Sequence, residues 1–213
     1  MKPTTRLCAL LLSALGGLAP AWAQPAPASV DQLADLVVQA MPIGEVFQGF
    51  IDKDPRWPLG DKMSRVSPEQ AQCLRDQLSA AGYREMRRQD TAAFAQRYPE
   101  QVDDALRVLK DGGADVFGAS IRMGVEQSRT GQKSDFSQLA SRFTPLQMSA
   151  FVELIGDDKH RRLRELIGVD DSFGQQRSGE EQQNRGRNKG MVMGAKLMFR
   201  AMDQCKVPLA AVQ

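Results

Sequence analysis

Cys73 and Cys205, His160, several acid pairs and a methionine-rich stretch near the C-terminus are the residues with chemistry to offer. The chain carries three cysteines, and Cys8 sits in a segment that reads as a cleaved export signal. Lys2 and Arg6 form its positive front, Leu7 to Leu15 its apolar run, and Ala21-Trp22-Ala23 places small residues where a signal peptidase reads. Cleavage after Ala23 is expected. That leaves Cys73 and Cys205, an even number in an oxidising compartment, and the simplest outcome is one disulfide. The two lie 132 residues apart, and chain-entropy estimates give a loop of that length about 4–5 kcal/mol of stabilisation. Two buried free thiols are the alternative. A catalytic thiol lacks the Cys-x-x-Cys spacing of redox sites.

His160, the single histidine, lies in Asp157-Asp158-Lys159-His160-Arg161-Arg162. As a general base it has no nucleophile or orienting partner at readable spacing. As a metal ligand it has Asp157 beside it, but Lys159, Arg161, Arg162 and Arg164 oppose a cation. Acidic residues first and basic residues after is also what a helix start asks for, and we read it so. The acid pairs Asp52/Asp54, Asp103/Asp104, Asp170/Asp171 and Glu180/Glu181 are read as solvated. Glycosidic chemistry needs two carboxylates across a cleft, which adjacency in sequence does not provide. We therefore assign no catalytic residue, no metal site and no cofactor. Glycine pairs such as Gly186 and Gly190 lack the strand and lysine of a phosphate loop.

Met191, Ala195, Met198, Met202 and Cys205 step by four and three, drawing one apolar stripe that ends at a cysteine. Met193, Leu197 and Phe199 widen it, and Gly190 and Gly194 permit close approach of another helix. Methionine adapts to irregular surfaces, so Met191, Met198, Met202 and Phe199 form a candidate surface for a partner or an apolar ligand. Cuprous ion is a further candidate for Met191 and Met193. Helical spacing of apolar residues is also what a core helix shows, here one stapled to the helix bearing Cys73.

The elements that hold these residues are helical throughout. Residues 24–29 read as a flexible leader. Ser29 then caps a helix carrying Val30, Leu33, Leu36, Val37 and Ala40, and beyond Pro42 a second stripe runs from Ile43 to Ile51. Residues 52–66 read as a surface loop. Ser67-Pro68-Glu69-Gln70 is a helix start with a serine cap and a glutamine at the third position, and Gly82 is expected to close that helix. A more polar helix is predicted from Arg84 to Tyr98. Pro99 restarts the chain, Gly112-Gly113 marks a turn, and Val116 to Val125 propose a further helix. Thr144-Pro145-Leu146-Gln147 repeats the earlier capping pattern, and a short helix ends at Gly168. Residues 169–187 are read as mobile, a last helix as running from about Asn188 to Cys205, and residues 206–213 as a loose tail. No stretch alternates with β-branched enrichment. The fold class is all-α: one irregular multi-helix domain over residues 30–205, its C-terminal helix tied to an early helix by a disulfide.

The string Phe143-Thr144-Pro145-Leu146-Gln147-Met148-Ser149-Ala150-Phe151, leading through Ile155-Gly156-Asp157-Asp158-Lys159 to Leu163, resembles the core of exported bacterial helical proteins catalogued as domain of unknown function 2059. Residues 99–121, with Leu106, Val108 and Leu109 before Asp111-Gly112-Gly113, are similar to a second copy of that element. The resemblance spans residues 99–168 and implies an exported helical domain with no assigned activity.

Composition narrows the function classes. Taking Lys2 and Arg6 from the 28 basic residues balances them against the 26 acidic ones. A neutral chain has no global field to draw nucleic acid or an anionic membrane. Ser13, Gly16, Gly17 and Pro20 interrupt the first apolar run, so no transmembrane anchor is expected. The expectation is a periplasmic or secreted, non-enzymatic protein that binds an envelope protein or an apolar ligand. A carboxylate-based envelope hydrolase and a carrier enclosing a small apolar ligand are the alternatives.

Overall fold

Capping side chains set where the helices begin. The computed structural model describes residues 26–132, 135–169 and 179–211, and within 179–204 the side chains of Asn188 and of Gly190 onward. Helix α1 spans Pro27–Ala40, starting inside the stretch expected to be a flexible leader. Pro27 fits a first helical turn because its missing N–H would be unpaired there anyway, while the Ser29 N–H donates to the Ala26 carbonyl. Helix α2 spans Ile43–Lys53. Both predicted capping boxes form: Ser67 and Gln70 bond reciprocally at the start of α3, Pro68–Leu78, and Thr144 and Gln147 do so at the start of α8, Pro145–Gly156.

The segment 52–66, expected to be loop, contains a short 3-10 turn at Gly60–Arg65 and buries Leu59. Gly82 does not close α3. Ser79 ends that helix and caps the next, α4, Ala80–Arg97, by accepting from the Gly82 N–H at 3.0 Å. Gly82 stands in the first turn of α4, where a β-carbon would overlap the Asp76 and Gln77 carbonyls. A larger residue there would force the α3–α4 corner open.

After α4 come α5, Val102–Val108, and α6, Ala114–Thr130. They form one helical path bent at Gly112, whose φ of 123° is open to glycine alone. The N-terminal end of α8 lies against this bend, with Gln147 in the space a side chain at residue 112 would need. The short α7, Phe136–Ala140, precedes α8, and α9, Arg161–Ile167, follows it. Gly168 ends α9 with φ 99°, as predicted, and its N–H and that of Val169 return to the Arg164 carbonyl at 2.9 and 2.8 Å. The last helix, α10, spans Gly179–Gln204, beginning well before the expected Asn188. Val169 is buried, so the mobile stretch expected at 169–187 is curtailed at both ends, and residues 170–178 lie outside the described residues. The tail is not loose where it is described: Val207 and Ala211 are buried, and the Gln70 amide donates to the Lys206 carbonyl at 2.6 Å.

No β-strand occurs among the described residues, and no helix among them is long and apolar enough to cross a membrane. The apolar side chains form two cores. The first joins α1, α4, α5, α6, α8 and α9 around Leu33, Val37, Val108, Leu109, Phe117 and Leu154. The second joins α3 and the start of α4 to α10, with Leu74, Leu78, Tyr83 and Met86 facing Leu197, Ala201 and Met202. Cys73 and Cys205 are joined as a disulfide at the edge of this second core, their Cα atoms 5.7 Å apart. Tyr83 donates its hydroxyl to the Met41 carbonyl at 2.9 Å, and burial pushes its ionisation up to about 12.

Replacing Gly112 by alanine is expected to lower stability by about 2–4 kcal/mol, from backbone strain together with displacement of Gln147. Urea unfolding of the variant beside the parent measures this; an unchanged midpoint would show that the bend tolerates a side chain.

Candidate functional site

Two features of the described residues could carry function: a charged cluster where α5, α8 and α9 meet, and the outward flank of α10. The first starts from a capping residue. Asp157 accepts the Lys159 N–H at 2.9 Å, ordering the short turn Asp158–His160. That turn folds Lys159 and His160 back toward α8. Arg164, 4% exposed, donates to the Leu154 and Asp157 carbonyls at 3.1 and 2.6 Å. A buried cation thereby covers carbonyls at the end of α8, where the helix runs out of its own N–H donors.

His160 is 2% exposed. Its Nε2 lies 3.2 Å from Glu153 Oε1 on α8, and its Nδ1 3.7 Å from Asp104 Oδ2 on α5. The orienting partners that the sequence did not reveal therefore exist, contributed by two other helices. Asp104, read as a solvated acid, is drawn into the same group. Arg107 bridges the two carboxylates, at 2.7 Å from Asp104 and 2.5 Å from Glu153, and Lys159 Nζ lies 2.8 Å from Glu153.

Asp104, Glu153 and His160 present three ligand atoms within 4.8 Å of one another, a donor set suited in kind to a divalent ion. Their surroundings do not fit one. Arg107 and Lys159 already hold the carboxylate oxygens, and a dication among two fixed cations would meet strong repulsion. Acid–base chemistry fares no better. Hydrogen bonds from Arg107, then Lys159 and His160, hold the Glu153 carboxyl well below the usual range. Partial burial pushes Asp104 up, but hydrogen bonding and charge from Arg107, with His160 and Lys159, outweigh it and leave that carboxyl lowered as well. Both stay anionic at neutral pH. A pair of carboxylates hydrolysing a glycoside needs one that is protonated to assist the leaving group, and this pair has none. What the cluster does is clamp three elements together.

The second feature departs in register from the methionine stripe. Among the described side chains of α10, Leu197, Ala201 and Met202 are buried, as is Cys205 just beyond its end. Met202, expected at a partner surface, is 2% exposed and belongs to the core. Met198 is half-buried against the second core, and Met193 fills the space a side chain at Gly168 would occupy. Met191 and Phe199 do face solvent, at 61% and 53% exposure, and Val192 joins them at 55%. Val192, Ala195 and Phe199, spaced three and four, make a second apolar line beside the buried one. The helix is thus apolar over a wider arc than the body covers.

This flank continues onto α2. Phe47 comes to 3.9 Å from where a β-carbon of Gly194 would stand. Its ring packs on Trp57 with centroids 5.4 Å apart, and Trp57 packs on the exposed Phe50 at 5.9 Å. An aromatic ridge therefore meets α10 one turn from both Met191 and Met198. The sequence pointed to Met191 and Phe199 but not to Phe50, Trp57 or Val192, since nothing in their spacing ties α2 to α10.

No protein-family model matches the chain, and neither a curated protein nor a solved structure shows significant similarity to it.

The cluster's ionisation fixes a pH dependence. A carboxyl depressed on folding adds stability that is complete above its unfolded value and lost as pH falls through that value toward the folded one. For Glu153 the ordinary value is 4.5, so the loss is expected from about pH 5 downward. Glu153→Gln is expected to be less stable at neutral pH and to decline less steeply between about pH 5 and pH 3. Thermal unfolding across that range checks both signs.

Proposed function

We propose that this is an exported, non-enzymatic protein of the cell envelope that binds a helical protein partner through the outer flank of α10. The observation that carries the reading is the run of exposed apolar side chains at Met191, Val192 and Phe199, beside the aromatic ridge of Phe47, Trp57 and Phe50. Single exposed apolar residues elsewhere, such as Val125 on α6 or Leu146 on α8, are ordinary for a protein surface. Several on one helix face, joined to an aromatic group from a second element, mark an interaction surface. The three-and-four spacing of the face suits the groove of a helical partner better than an enclosed small molecule.

Export is supported by the N-terminal order of charge, apolar run and small residues, and by the disulfide, which persists in oxidising compartments. The non-enzymatic reading is supported by the charged cluster, where His160 is buried and both carboxylates are committed to resident cations. The resemblance of residues 99–168 to an exported helical family adds no activity to this reading.

A photo-crosslinking amino acid placed at Phe199 or Met191 in the native envelope is expected to trap a discrete protein adduct. The same probe at Val125 should trap none. Phe199→Glu is expected to weaken formation of the adduct at Met191 at least 10-fold, as loss of a central aromatic anchor does, with folding unchanged by circular dichroism. Equal labelling at all positions, or none on α10, would contradict the reading, as would turnover of peptidoglycan or peptides at enzyme-like rates.

A further inference from the structure

The two cores differ in what holds them. The first is built by residues up to Val169, with Met193 at its margin the contribution of α10. The second takes half its wall from α10 and the segment after it: Leu197, Ala201, Met202, Cys205, Val207 and Ala211. Apart from that packing, the described residues fasten α10 to the body through Met193 over Gly168, through Arg200, which pairs with Asp90 at 2.8 Å and donates to the Gln89 side chain at 3.1 Å, and through the disulfide. The ion pair is about a third exposed on both sides, and such pairs hold weakly. Two of these six buried side chains, Ala201 and Ala211, are alanine, which anchors little. The crosslink is therefore a principal restraint on α10 and not an addition to an already locked helix.

We infer that Cys73–Cys205 is a redox-operated latch: its reduction frees α10 and opens the second core, while the body built on the first core stays folded. The two residues are unequal, Cys73 half-buried and Cys205 buried, so an incoming thiolate approaches from the Cys73 side. The reductant is a dithiol, such as a redox protein with a Cys-x-x-Cys pair. One of its thiolates attacks the Cys73 sulfur, the S–S bond breaks, and Cys205 leaves as a thiolate that takes up a proton. The second thiol of the donor then attacks the mixed disulfide and releases Cys73. Two electrons and two protons pass to the protein, and the donor becomes a disulfide. Release bares the face of α3 that carries Leu74 and Leu78, both fully buried in the latched state. Phe94 and Ala95 on α4 belong to the first core, and this keeps α4 in place.

This inference does not rest on the binding reading, and its readout needs no partner. Amide hydrogen exchange of the purified full chain is followed with and without dithiothreitol. On reduction, exchange across residues 195–204 is expected to accelerate by about 100-fold or more, given the restraint a crosslink over so long a loop supplies. Residues 105–109 and 150–154 are expected to keep their protection, and reoxidation should restore the original pattern. Reducing the mature wild-type chain avoids a cysteine variant that fails to fold during export. Unchanged protection of α10 after complete reduction would overturn the latch, and so would equal acceleration of all these segments, since the protein would then unfold as one unit.

Discussion

The bond between Cys73 and Cys205 is the constraint on which the second half of the architecture depends. It fixes one point on α3 against the last turn of α10, and that single point sets the face the long helix presents inward. Leu197, Ala201 and Met202 then fall against Leu74, Leu78 and Met86, and the remaining apolar residues, Met191, Val192 and Phe199, are left facing out. The outward surface is thus a consequence of the crosslink's register. Turning the helix by one residue would exchange part of the buried line for the exposed one, because the two lie side by side on the same cylinder.

The other half is held differently. Gly112 bends the α5–α6 path, the capped start of α8 fits against that bend, and the buried Arg164 covers the carbonyls at the far end of α8. Asp104, Arg107, Glu153, Lys159 and His160 then tie α5, α8 and the start of α9 across the surface. A charged cluster of this kind invites a catalytic or metal-binding reading. The cations that lower both carboxylates are the same ones that occupy their oxygens, so the feature that makes the group conspicuous also removes its chemistry.

Much of the local architecture was legible in the sequence because its determinants are neighbours in the chain. Ser67 with Gln70, Thr144 with Gln147, and Gly168 after a basic helix each specify a helix end within four residues. The cysteine pairing was legible for another reason: with Cys8 assigned to the expected signal, two thiols leave a single pairing. The charged cluster was not legible, because Asp104, Glu153 and His160 come from three elements and meet through a bend at Gly112 that sequence reported as a turn without a direction. The face of α10 was read from its methionines, yet the second core takes Leu197 and Ala201 together with Met202 and leaves Met191 outside. Periodicity shows that a helix has an apolar side, and when that side is broad, packing alone decides which part of it is covered. The ends of the chain's descriptive reading failed in the same way. Val169, Val207 and Ala211 sit in segments whose composition suggested looseness, and each is drawn into a core by neighbours distant in sequence, while Pro27 enters α1 through its fit to a first helical turn.

The account turns on whether those two sulfurs are joined in the native protein. Tryptic digestion without reductant, in the presence of an alkylating agent, is expected to yield one linked pair, residues 66–75 joined to residues 201–206, that separates after reduction. Recovery of both peptides unlinked and alkylated from the denatured, unreduced protein would contradict it, and with it the placement of α10.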